Sequence, residues 1–453
     1  MAKISKVRAY LKKKFDLLPS EKFKLNLLNA LPFWVGAFIT GCVAVLYTKL
    51  FSWTEEGARF IFSLPGWVAF IVSPITFVLG CWLVIRFAPY ARGSGIPQVT
   101  ASIQLSTPKT YWLVSKFLSL RIILIKILSS IVITLGGGII GREGPTIQIA
   151  ASVYKKIYDI LPAWYPRISK RNMIVTGGAA GLAAAFNTPL GGIVFAIEEL
   201  TKTHLSYFRS ALLTGVIIAG LTALGILGPY LYLGYPELNG IPYWITFVVI
   251  PAACFTGLFG TFFQKSILYI LKKQRKVLRT KSRKLLYAAL AGLVIAAIGT
   301  LISVDSIGTG KHLIITTLFT DQKDTAWYMP ITRFIGNVAT FTSGGSGGIF
   351  APSLSLGASI GGVISNLLNL APTQVNLIVL CCMAGFLTSV TGSPFTSSIL
   401  ILEMTNSQSV IFYIMLASLC GYLVTIGLNR HSFYDNLKND YLHEVEAQKP
   451  AIH

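Results

Sequence analysis

Apolar residues run along this chain in blocks near Leu31–Leu50, Trp67–Ile85, Ile122–Leu135, Ala211–Leu233, Trp244–Leu271, Leu285–Ile302, Val375–Leu402 and Ile411–Leu428. Each block is long enough, or nearly so, to cross a bilayer as an α-helix. Between them lie shorter apolar pieces interrupted by Gly and Pro. Irregular backbone is tolerated at membrane depth only where it is buried in protein or lines a water-filled cavity. The pattern therefore predicts an all-α polytopic membrane protein with roughly ten or more segments, several of them partial helices. Glu55-Glu56 is expected in the outer loop between the first two spans.

Composition agrees: of 453 residues, 53% are hydrophobic and 12% charged, and mean hydropathy is +0.65. A soluble globule is excluded. The net charge of +22 invites a nucleic-acid partner, but its distribution argues for topology instead. Cations cluster in residues 1–28, at 155–171 and from Lys265 to Lys284, and such loops stay cytoplasmic. Lys109, Lys116, Arg121 and Lys126 are read as holding a further connection inside. Both termini are expected in the cytoplasm, and membrane lipid is a partner by default. Ile4, Val7, Leu11, Phe15 and Leu18 recur at helical spacing among lysines, which predicts an amphipathic helix on the membrane surface over 1–28. No signal-peptide pattern is present. Cys42, Cys81, Cys254, Cys381, Cys382 and Cys420 lie in apolar stretches and read as core residues. The five histidines are scattered, and no metal or nucleotide fingerprint occurs, so no metal or cofactor is expected.

The second half echoes the first. Laying residues 136–153 on 343–360 aligns Gly137/Gly344, Gly138/Gly345, Gly141/Gly348, Pro145/Pro352, Ala151/Ala358 and Ser152/Ser359. Upstream, Gly93-Ser94-Gly95 matches Gly308-Thr309-Gly310. Downstream, Pro189 and Glu198 match Pro394 and Glu403. Repeats with Gly/Pro breaks at matching places point to a transporter-like fold with its site at the midplane; inversion of the halves rests on loop charge and fits an odd number of crossings per half. The expected division is 1–28 surface helix, 29–235 first membrane repeat, 236–430 second membrane repeat, and 431–453 the end of the last helix with a short cytoplasmic tail.

The repeat also sorts the acids. Glu198 and Glu403 are mates, which suits an architectural role such as bonding a helix end. Glu143 faces Phe350 and Glu199 faces Met404, so these two unpaired acids are the functional candidates. Glu143 sits in Gly141-Arg142-Glu143-Gly144-Pro145, where Pro145 is expected to open a helix. Helix starts bind anions through free N–H groups and the dipole. A carboxylate placed there is a plug that protonation removes. Gly93-Ser94-Gly95-Ile96-Pro97 and Gly348-Ile349-Phe350-Ala351-Pro352 supply further donors, and the three breaks are expected to converge. One such break alone reads as close helix packing; three in a repeated frame read as a site for a dehydrated anion, held by partial charges and still releasable.

These motifs, with Phe186–Leu200 between them, resemble the CLC family of chloride channels and chloride–proton antiporters, in its compact prokaryotic form without nucleotide-binding regulatory modules. The resemblance implies that Ser94 and Tyr434 coordinate chloride by their hydroxyls, with the N–H groups of Ile349 and Phe350. It makes Glu143 the external gate and proton carrier, and Glu199 the internal proton relay. It further implies a homodimer with one pathway per subunit, in a bacterial inner membrane. Gln98 departs from the acid often found after this first motif, while Ser94 and Tyr434 keep the chloride pattern. A passive chloride channel on the same fold is the alternative, disfavoured by Glu199. A polytopic membrane enzyme is less consistent, since no nucleophile–base pair or metal set accompanies Arg142 and Glu143; no enzymatic activity is expected.

Overall fold

Long lipid-facing helices alternate with short broken ones, and the same order occurs twice. The computed structural model describes residues 20–202, 209–228, 232–320, 323–429 and 431–447. In the first half, α1 (Glu21–Ser63), α2 (Gly66–Phe87), α3 (Ile96–Gln104), α4 (Tyr111–Phe117), α5 (Leu120–Leu135), α6 (Glu143–Ile160), α7 (Lys170–Phe186), α8 (Pro189–Phe195) and α9 (Arg209–Leu227) follow in order. The second half runs α10 (Thr246–Val277), α11 (Lys281–Ala297), α12 (Lys311–Phe319), α13 (Met329–Thr342), α14 (Phe350–Leu367), α15 (Pro372–Thr391), α16 (Pro394–Thr405) and α17 (Ile411–Leu428). A final helix, α18 (Phe433–Glu446), follows.

Eight helices among the described residues are long and apolar enough to cross a membrane. Side chains such as Phe38, Leu46, Ile71, Phe247, Phe262 and Leu423 point outward and exposed. A soluble protein rarely shows so much contiguous apolar surface, whereas a bilayer covers it. The central helices differ: 89% of the spanning window of α15 is buried, and α14 packs on it through small residues. A Cβ at Gly357 would come within 2.5 Å of the Cys382 carbonyl oxygen. Small residues of this kind let helices approach closely where lipid gives no hydrophobic drive.

The halves meet about a local twofold axis. The repeat-mates Gly141 and Gly348 exchange both backbone hydrogen bonds, each N–H to the other's carbonyl at 2.8 Å, as an antiparallel bridge. Mates that pair with each other antiparallel lie on the axis relating inverted repeats.

Several expectations need correction. Val375–Leu402 is two helices, because Gly392 takes a left-handed conformation (φ 76°) and Pro394 opens a new helix. Glu55-Glu56 is helical: α1 runs for 43 residues, about 64 Å at 1.5 Å per residue, far beyond the bilayer core. The expected surface helix over 1–28 lies outside the described residues up to 19, and residues 21–28 form the first turns of α1. Tyr434 belongs to a separate helix rather than the end of α17, since Ser432 caps α18 by accepting the Asp435 N–H at 3.2 Å. Helix α6 starts at Glu143, which puts Pro145 third instead of first. A proline N–H is not needed there either, because the first four N–H groups of a helix have no intrahelical acceptor.

Candidate functional site

The three Gly-rich breaks are joined by backbone hydrogen bonds. Gly93 N–H donates to Gly345 O (2.8 Å) and Gly347 N–H to Gly93 O (3.1 Å), beside the reciprocal Gly141–Gly348 pair. Gly93 (φ 65°) and Gly95 (φ 110°) flank Ser94 in a left-handed turn that other residues resist. The turn's carbonyls are held by a buried lysine. Lys126 Nζ donates to Ala91 O (2.9 Å) and Gly93 O (2.7 Å), and the Ser346 hydroxyl also donates to Ala91 O. Lys126 is thus not the cytoplasmic loop charge expected from sequence. It is fully buried on α5. Gln98, the departure noted in the motif, donates to the Tyr90 and Arg92 carbonyls (3.2 and 2.7 Å) and to the Tyr441 hydroxyl (3.2 Å). An acid could not donate to those carbonyls when ionised.

Ser94 and Tyr434, 340 residues apart in the chain, come together. Both are buried, and the Ser94 hydroxyl lies close enough to the Tyr434 phenol to interact with it. Neither oxygen has a hydrogen-bond partner of ordinary geometry in the protein. Buried polar groups are normally satisfied, and these two hydroxyls are placed to donate to an acceptor between them. The start of α6 borders it: a Cβ at Gly144 would come within 2.2 Å of Ser94 Oγ. Ile349 is the N-cap of α14 and Phe350 its first residue, so their N–H groups lack intrahelical acceptors. Both residues are fully buried. Ala351 and Pro352 continue that first turn, as Ile96 and Pro97 do in α3.

Glu143 is fully buried at the first position of α6. Its Oε1 accepts from the Tyr232 hydroxyl at 3.3 Å. Its Oε2 lies where a Gly141 side chain would be, 2.3 Å from an idealised Cβ. Tyr232 was not singled out in the sequence. Its ring packs on Phe186 (centroids 5.0 Å apart), which in turn meets Phe350 at 5.6 Å. The Arg142 guanidinium lies over the Tyr232 ring, 5.8 Å from its centroid. Arg142 and Glu143 also line a cavity of about 190 Å³ with Tyr232, Glu55, Thr309 and Lys311.

Glu199 lies elsewhere, on a one-turn π-helix over Ala196–Thr201. It is nearly fully buried, and the Ser393 hydroxyl donates to its Oε2 at 3.0 Å. Lys202 is within electrostatic range of it and donates to Asp435 at 2.7 Å. Burial pushes the Asp435 carboxyl up, but Lys202 and Lys438 outweigh that and hold it below the usual carboxylate range. Glu199, Lys202 and Asp435 thus form a run of ionisable groups from the interior to α18, beside Tyr434. The adjacent Glu198 points instead to the start of α16.

Comparison with known proteins agrees with this architecture. The family described as Voltage gated chloride channel matches residues 76–425. The H(+)/Cl(-) exchange transporter ClcA of Klebsiella pneumoniae (strain 342) is 28% identical over 431 residues, 91% of this chain and 89% of the relative. ClcA of Salmonella arizonae is 28% identical over 432 residues, 91% and 88% of the two chains. Among solved structures, a slow cyanobacterial Cl-/H+ antiporter superposes with a TM-score of 0.78 at 24% identity, over 92% of this chain and 98% of its own. A CLC-type fluoride/proton antiporter gives 0.75 at 20%, with the same coverage. The match to the family spans most of the sequence and takes in the first two Gly-rich breaks, the third, and every helix between them: this chain belongs to the voltage-gated chloride channel (CLC) family.

Proposed function

We propose that the chain is a secondary transporter exchanging chloride for protons across a bacterial inner membrane. It works as a homodimer with one pathway per subunit and both termini in the cytoplasm. The observation that carries the reading is the pair of buried, converging hydroxyls of Ser94 and Tyr434, unsatisfied within the protein, beside the first N–H groups of α14. Hydroxyls and N–H groups offer partial positive charge, which can replace an anion's hydration and still let it go. Chloride is the ligand, and the names of the ClcA relatives support that choice.

Glu143 supplies the coupling. Ionised, its carboxylate takes an anion's place at the start of α6, with the helix dipole favouring it. Protonated, it loses that advantage and swings out, carrying the proton and freeing the place for chloride. Protons reach it from the cytoplasm by way of Glu199, which accepts from Ser393 next to the Lys202–Asp435 pair. Repeats over 29–235 and 236–430 form the transport unit around the Gly141–Gly348 axis.

Reconstitution into liposomes, with chloride and pH followed together, tests this. A chloride gradient should drive uphill proton movement; purely passive chloride flux would leave a channel. Glu143→Ala should keep chloride flux and lose coupling. Glu199→Gln should stop protons while sparing chloride, and unchanged proton pumping would remove it from the path.

A further inference from the structure

The Ser94 turn has a second copy in the outer cavity beside Glu143. Gly308 (φ 67°) and Gly310 (φ 85°) flank Thr309 as Gly93 and Gly95 flank Ser94. Each turn leads at once into a helix, α3 or α12. Each turn's carbonyls are gripped by a buried basic side chain from a matched position of the repeat. Lys126 holds Ala91 and Gly93, while Arg333 donates to Asp305 O (3.0 Å) and Gly308 O (3.1 Å). The backbone device is therefore built twice, down to its support.

The occupants differ. The Ser94 hydroxyl has no protein acceptor. The Thr309 hydroxyl donates to Glu55 Oε1 at 2.6 Å, and the Thr309 N–H donates to the same oxygen at 3.3 Å. Glu55 reaches in from α1. Helix α10 holds the place in the second half that α1 holds in the first, and no acid occurs along it. One copy of the turn thus carries a tethered carboxylate and the other is left open. Lys311, the first residue of α12, lines the same cavity as Glu55, Arg142 and Thr309.

We propose that the Gly308-Thr309-Gly310 turn is a second site for a small inorganic anion, kept closed by the Glu55 carboxylate. Glu55 thereby prevents chloride from lodging between Lys311 and Arg142 on its way past Glu143. The identity of the anion rests on reading Ser94 as a chloride ligand; the site itself rests on the Glu55–Thr309 contact.

Crystals of the full chain grown in bromide give the test, since bromide stands in for chloride and is located by its anomalous scattering. Wild type should show bromide at Ser94 and none at Thr309. E55A should show both, and E55A/T309V only the first. Should E55A fail to fold, E55S removes the carboxylate's reach and gives the same readout. No bromide at Thr309 in the folded Glu55 variant overturns the inference, as does a peak there that survives T309V. Failure of the chloride reading looks different: Ser94 is then empty in every crystal.

Discussion

Glu198 and Glu403 each hold the helix that belongs to the other's repeat. The Glu198 carboxylate accepts the N–H groups of Phe395 (3.2 Å) and Thr396 (2.7 Å) at the start of α16, together with the Thr396 hydroxyl (2.8 Å). Glu403, on α16, accepts those of Leu190 (3.0 Å) and Gly191 (2.6 Å) at the start of α8. Helix-start N–H groups at membrane depth have no water to turn to, so each acid satisfies donors its partner helix cannot. Glu403→Ala should cost about 1–3 kcal/mol of stability for the orphaned donors, with the proton-to-chloride ratio unchanged. Thermal unfolding in detergent, set beside flux per folded protein, checks both parts; a changed ratio would move Glu403 into the transport path.

Tyr232 donates the side-chain hydrogen bond that reaches the Glu143 carboxylate from outside its own helix start. Tyr232→Phe keeps the ring packing on Phe186 and removes only the donor. The carboxylate should then leave its place more readily, raising chloride turnover about threefold to tenfold, the effect of one hydrogen bond of ordinary strength. Stopped-flow chloride efflux from proteoliposomes reads this, and an unchanged rate would make the contact incidental.

Lys126 and Arg333 are mates with the same structural task and different neighbours. Lys126→Met should weaken chloride binding, because the Gly93 carbonyl that shapes the Ser94 turn loses its donor. Arg333→Met should lower stability comparably and leave chloride affinity nearly intact, since its turn faces Glu55. Isothermal titration of both purified variants separates them; equal losses of affinity would show that neither acts through its own turn.

Gly141 leaves room for Glu143 Oε2. Gly141→Ala should displace the carboxylate and loosen coupling, giving fewer protons per chloride while chloride flux persists. Proton and chloride fluxes measured in the same vesicles decide this. Full coupling in the folded variant would mean that the carboxylate tolerates the methyl group.

The axis of the molecule was legible because it is written twice: the paired glycines and prolines, and the mates Glu198 and Glu403, needed only alignment of one half on the other. The unpaired acids Glu143 and Glu199 stood out for the same reason. What stayed hidden depended on depth. Lys126 looks like a loop charge until its surroundings are known, although the same alignment sets it opposite Arg333. Tyr232 sits at the end of an apolar run, where tyrosine is an ordinary interfacial residue, and only folding brings it to Glu143. Glu55 looked like a loop acid because the run before it ends at Leu50, whereas α1 continues thirteen residues further, to Ser63. The break at Gly392 was masked by the apolar residues on both sides of it.

The reciprocal bond between Gly141 and Gly348 makes the proposed transport route a seam. Its walls come from both halves: α6 and Ser94 from one, α14 from the other, with Tyr434 from the final helix. Each half owns one wall of the route and neither encloses it alone. A single copy would present a wall with nothing facing it.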